Sequence, residues 1–76
     1  MKEIKIKLNS EKEAVDFVAK ISVLPYDIDL VYGHYVVDAK SILGVLSVAP
    51  NREVALMIQP EDAGDLKRRI EKYIAI

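Results

Sequence analysis

The residues best placed to do chemistry lie in Asp38-Ala39-Lys40-Ser41-Ile42-Leu43-Gly44-Val45-Leu46-Ser47. A short apolar run, Tyr35-Val36-Val37, leads into Lys40-Ser41, and a compact amphipathic segment with a glycine inside it follows. A serine at the mouth of a short helix accepts a hydrogen bond from an otherwise unpaired backbone N–H as its N-cap. The same place is where a phosphate would meet free N–H groups and the positive end of the helix dipole. Ser10 is a second hydroxyl of this kind. It opens Ser10-Glu11-Lys12-Glu13, a serine followed three residues later by glutamate, which is the capping-box pattern. The single histidine, His34, follows Gly33 between Tyr32 and Tyr35 with no arginine beside it, and reads as a solvated turn residue.

Composition removes several kinds of chemistry. The 76 residues (1–76) make one domain and contain no cysteine, so there is neither a disulfide framework nor a thiolate metal site. One histidine does not make a zinc site, and no metal or cofactor is expected. A net charge of −1, from 11 basic and 12 acidic residues, argues against a nucleic-acid partner. Lys67, Arg68, Arg69 and Lys72, with Glu71 among them, read as a solvated helix face whose cations complement the dipole. No apolar run reaches the roughly 20 residues of a membrane span. The charged alternation at the N-terminus is not a signal peptide. These features read as a bacterial cytoplasmic protein that is not an enzyme. No nucleophile–base pair, metal cage or glycine-rich phosphate loop is legible.

The elements that must position these residues follow from periodicity. Ile4, Ile6 and Leu8 alternate with Lys5 and Lys7, which predicts a half-buried strand over residues 2–8. After Ser10, Ala14, Phe17, Val18 and Ile21 recur at helical spacing, and Leu24-Pro25 marks the stop. Tyr26, Ile28 and Leu30 alternate with Asp27 and Asp29 in a second strand. Gly33-His34 suits a two-residue hairpin turn with glycine first, and Tyr35–Val37 is the third strand. Ser41–Ser47 is a short helix and Pro50-Asn51 a turn. Arg52–Gln59 is a fourth strand with Val54, Leu56 and Ile58 on one face. Pro60-Glu61-Asp62 opens a last helix whose buried stripe is Ala63, Leu66, Ile70 and Tyr73. The order β-α-β-β-α-β-α predicts an α+β fold, a four-stranded antiparallel sheet with three helices on one face.

The segment Lys40-Ser41-Ile42-Leu43-Gly44 resembles the regulatory-serine segment of the HPr family, small phosphocarriers of the bacterial phosphoenolpyruvate-dependent sugar phosphotransferase system. That family has the same element order, as an open-faced β-sandwich. The resemblance covers nearly the whole chain. It is strongest from Tyr26 to Ser47 and weaker afterwards, where Ala49-Pro50-Asn51 looks shorter than the family's glycine-containing loop. Family members open the first helix with His-Ala-Arg-Pro, and the histidine relays phosphate. Counting back from Lys40-Ser41 without gaps puts Ser10 at the histidine position, Lys12 at the arginine position and Glu13 at the proline position. A phosphoserine ester does not give up its phosphoryl group as a phosphohistidine does, and lysine lacks the bidentate guanidinium geometry.

The resemblance therefore implies a non-catalytic regulatory or interaction module, similar in its missing histidine to the catabolite-repression HPr paralogue. In part of the family a dedicated kinase phosphorylates the serine at the position of Ser41, and the phosphoprotein joins a catabolite-control regulator. Ser41 reads either as such a phosphosite or as a helix cap alone. Ile42, Leu43 and Leu46 fall at i, i+1 and i+4 on one short helix, so they cannot all face the sheet. In the family the matching side chains form a partner-binding patch; a fully packed helix is the other reading. The implied partners are proteins, either phosphotransferase-system components or a catabolite-control regulator. Neither nucleic acid nor membrane is implied, and the chain would be a monomer or a homodimer. The competing functions are a genuine phosphocarrier with an atypical acceptor and a structural homodimeric scaffold, for instance one exchanging its first strand.

Overall fold

The alternation of Ile4, Ile6 and Leu8 with charged residues becomes strand β1 (Lys2–Leu8) in the computed structural model, which describes residues 2–59 and 63–75. Its three apolar side chains are buried while Glu3, Lys5 and Lys7 are exposed, as a period of two dictates. There follow α1 (Glu11–Ile21), β2 (Ile28–Tyr32), β3 (Tyr35–Asp38), α2 (Ile42–Val48), β4 (Arg52–Ile58), α3 (Gly64–Arg69) and a 3-10 turn over Glu71–Tyr73.

The strands form one antiparallel sheet in the order β1-β4-β2-β3. Leu56 of β4 lies opposite both Ile4 and Leu30, and Leu30 lies opposite Val37. Register thus aligns Ile4, Ile6, Leu8, Ile28, Leu30, Val54, Leu56 and Ile58 on one buried face. Ala14, Phe17 and Ile21 of α1, Val45 and Val48 of α2, and Leu66 of α3 pack onto it from the helices. The helices cover that one face, and the fold is an α+β open-faced sandwich.

The connections follow local chemistry. Gly33 has φ +60° at the first position of the two-residue link between paired Tyr32 and Tyr35, the conformation a glycine-first hairpin turn requires. Asn51 takes φ +66°, a left-handed conformation asparagine tolerates better than most residues.

Two expectations are corrected. The second strand starts at Ile28, not Tyr26. Ile28 pairs with Ile58, the last residue of β4, so the ladder begins there and Tyr26 packs against the core from the preceding loop. The expected single helix through Tyr73 also breaks. Ile70 leaves helical geometry at φ −116°, ψ 20°. The break lets the chain reach β1, where Ile74 bridges Ile6 and the Ala75 N–H donates to the Lys5 carbonyl at 2.8 Å. Ala63, Leu66, Ile70 and Tyr73 remain buried across it. The expected opening at Pro60-Glu61-Asp62 lies outside the described residues.

Candidate functional site

Both candidate hydroxyls sit at helix N-termini, and α1 and α2 pack against one another. At α1, extended Ser10 (φ −161°, ψ 165°) accepts the Glu13 N–H on Oγ at 3.1 Å. The return arm of the capping box is displaced by one residue: Glu13 Oε1 accepts the N–H of Asn9, at 2.8 Å, in place of that of Ser10. The side chain matched to the family's histidine is thus engaged in holding the helix start.

Lys12, matched to the family's arginine, is exposed and lines a shallow hollow with Glu13, Asp16, Lys72 and Tyr73. The hollow is of mixed charge. Asp16 accepts the Tyr73 hydroxyl at 2.5 Å, with Lys20 Nζ at 3.4 Å and Lys72 Nζ at 3.6 Å from the same oxygen. The Tyr73 hydrogen bond, then the lysines, hold the Asp16 carboxyl below its ordinary value against some desolvation. Burial, then the Asp16 hydrogen bond and charge, push the Tyr73 hydroxyl well above its ordinary value. An anion approaching Lys12 would therefore also meet the Glu13 and Asp16 carboxylates.

At α2 the turn is built by Asp38. Its Oδ1 accepts the Lys40 N–H at 2.9 Å and its carbonyl accepts the Ser41 N–H at 3.0 Å, an Asx-type turn. Ser41, exposed and extended, then accepts the Gly44 N–H on Oγ at 3.3 Å. Lys40 turns away from Ser41: its Nζ donates to the Leu24 carbonyl at 2.6 Å, joining this turn to the end of α1. Gly44 allows close approach of helix to strand, since a Cβ there would stand 3.2 Å from Val37 Cβ.

The apolar trio divides as helical geometry demands. Ile42 and Leu46 are half-buried against the core, while Leu43 is 79% exposed beside Ser41. His34 is exposed in the hairpin turn. Lys67, Arg68, Arg69 and Lys72 are exposed, with Arg68 paired to Asp65. No helix among the described residues is long and apolar enough to cross a membrane.

Sequence reasoning passed over Asp16 and read Tyr73 only as a buried position of the last helix; the two are far apart in the chain and share no local motif. It quoted Asp38 and Lys40 without giving them a role. An aspartate two residues before a backbone donor is an Asx-turn signal, but the reach of Lys40 to Leu24 has no local signature.

The crystal structure of HPr-C-His from Thermoanaerobacter tengcongensis matches with a TM-score of 0.73 at 25% sequence identity, over 95% of this chain and 89% of that one. No protein-family model and no curated protein matches the sequence. The fold is HPr-like.

Proposed function

We propose that this chain is an HPr-like interaction module of the phosphotransferase-system type that works by protein–protein contact and does not relay phosphate. The observation that carries the reading is Ser10. Where the resemblance places the relay histidine, this chain has a hydroxyl engaged in capping α1, with the Glu13 carboxylate beside it. An alcohol in that position has neither the base nor the leaving-group chemistry that reversible transfer needs.

The contact surface in this reading is the start of α2. Leu43 stands out from the helix between half-buried Ile42 and Leu46, an apolar anchor next to an exposed hydroxyl. A phosphate on Ser41 would add about −1.5 to −2 charges at the helix start beside that anchor. Such an added charge alters which partner surfaces are complementary while leaving the fold in place. The partners in this reading are phosphotransferase-system proteins or a catabolite-control regulator.

Intact-mass spectrometry tests it. Incubation with ATP and an HPr kinase should add one phosphate to the wild type and none to Ser41→Ala. No addition to the wild type would remove the switch and leave a constitutive binding module. A parallel incubation with phosphoenolpyruvate and the first enzyme of the system should add nothing. Acid-labile phosphate there would overturn the reading in favour of a phosphocarrier with an unusual acceptor.

A further inference from the structure

The two edges of the sheet are treated differently. On β1 the outer edge is covered by the chain's own C-terminal segment: Ile74 bridges Ile6, and the Ala75 N–H donates to the Lys5 carbonyl. On β3, the other edge in the order β1-β4-β2-β3, only one side of the strand is paired among the described residues. An edge strand normally carries a lysine, a proline or a bulge that discourages pairing with another chain. Tyr35-Val36-Val37 has neither residue, so the only protection left is the strand's four-residue length and Asp38 at its end, and Lys40, the nearest lysine, is drawn away to the Leu24 carbonyl. Tyr35 and Val36 are 66% and 61% exposed, among the most exposed large apolar side chains of the molecule.

The direction of the free groups follows from register. The Ala39 N–H donates inward to the Ile28 carbonyl, so the residues in phase with it, Tyr35 and Val37, turn their backbone groups toward β2. Val36 and Asp38 turn theirs outward. A strand that adds here must meet Val36 and Asp38.

We propose that β3 pairs antiparallel with β3 of a second copy of this chain, about a two-fold axis at Val36, joining two sheets into one. The sequence around Val36 is self-complementary in that register. Val36 meets Val36 of the second copy. Tyr35 meets Val37, so aromatic and branched apolar side chains pack across the seam. His34 meets Asp38 on each side of the axis, an imidazole N–H facing a carboxylate; histidine keeps at least one ring N–H in either protonation state. Each Val36 N–H meets the opposing Val36 carbonyl, and each Asp38 N–H faces the opposing turn. Shifting the axis by one residue, to Val37, would set Val36 against Asp38 and His34 against Lys40, and lose the polar match. A strand edge this short gives a contact at the small end of interface sizes, so the dimer is a weak one.

Sedimentation equilibrium from about 10 µM to about 1 mM, a range suited to a weak contact, reads the mass directly. The wild type should rise from the 8.5 kDa of one chain toward twice that value. Val36→Lys, placed where the side chain is exposed, should keep the fold by circular dichroism and stay at the single-chain mass throughout. Since the chain has no cysteine, Val36→Cys gives a unique cross-link. Opposed residues of a hydrogen-bonded antiparallel pair lie about 5.5 Å apart, within disulfide reach. It should form covalent dimer on oxidation at least tenfold faster than Lys5→Cys, whose backbone lies on the covered edge. A wild type that stays at one chain's mass up to 1 mM overturns the proposal. So does a dimer that survives Val36→Lys, which would place the contact on another surface, or equal cross-linking of the two cysteine variants, which would exclude this register.

Discussion

The Tyr73 hydroxyl lies 2.5 Å from the Asp16 carboxylate, joining side chains 57 positions apart. Tyr73 also meets Phe17 edge-on, with ring centroids 6.3 Å apart at 81°. One residue of the 3-10 turn thus ties the C-terminal segment to two successive residues of α1, one polar and one at the centre of the core. The same turn delivers Ile74 and Ala75 to β1. The clasp on α1 and the cover on the sheet edge are parts of one arrangement.

Tyr73→Phe separates the two roles of that side chain. The ring remains against Phe17 and only the hydroxyl is lost, so the melting temperature should fall by a few degrees. Tyr73→Ala removes the ring as well and leaves a core cavity, at a cost of about 3 kcal/mol or more. In a domain this small that cost is a large fraction of the total stability. Thermal melts of the two variants check the difference. Equal losses would show that the hydroxyl, not the ring, is what matters.

The same pair sets the pH response. Asp16 has its folded pKa below the ordinary 3.8, so its contribution is fully present above the unfolded value and is lost as pH falls through the folded one. Tyr73 has its folded pKa raised above the ordinary 10.0, so its contribution is present below about pH 10 and is lost as pH rises beyond it. Stability measured by urea should therefore decline on the acid side below about pH 4 and on the alkaline side above about pH 10. Asp16→Asn should flatten the acid limb, and Tyr73→Phe the alkaline one together with part of the acid one, since the Tyr73 hydroxyl is the first cause of the lowered Asp16 pKa. An unchanged alkaline limb in Tyr73→Phe would mean that other groups govern it.

Much of this frame was legible from short-range pattern. The alternation of β1, the glycine-first turn at Gly33 and the caps at Ser10 and Ser41 all act over four residues or fewer, and such signals survive in a bare sequence. What was not legible acts at long range or by competition. Nothing near Tyr26 says that β4 ends at Ile58 and that the paired stretch of β2 begins only at Ile28. Nothing in the last helical stripe says that the chain must break at Ile70 to lay Ile74 beside Ile6. At the candidate site, the cap at Ser41 was readable from spacing. The reach of Lys40 to Leu24 spans 16 positions and depends on how α1 and the β3–α2 turn come together.

That reach gives Lys40 a structural part. Its Nζ holds the Leu24 carbonyl at 2.6 Å in a partly buried place. Lys40→Met keeps most of the apolar stem and deletes the donor, and should destabilise by about 1 kcal/mol, with the unpaired carbonyl setting the loss. Lys40→Arg should recover part of it. Urea unfolding measures both. If Lys40→Met matched the wild type, water would be serving the carbonyl equally well.

Leu43 offers the cleanest way to change the α2 surface without changing the fold. It is 79% exposed, whereas Ile42 and Leu46 pack partly against the core on the same short helix. Leu43→Asp should therefore stay within about 0.5 kcal/mol of the wild type. Ile42→Asp and Leu46→Asp bring a carboxylate toward apolar neighbours and should each cost more than 1 kcal/mol. Urea titrations of the three variants rank them. An equal cost for Leu43→Asp would mean that its side chain folds back onto the helix in solution, and the exposed apolar anchor on which a partner contact at α2 depends would be gone.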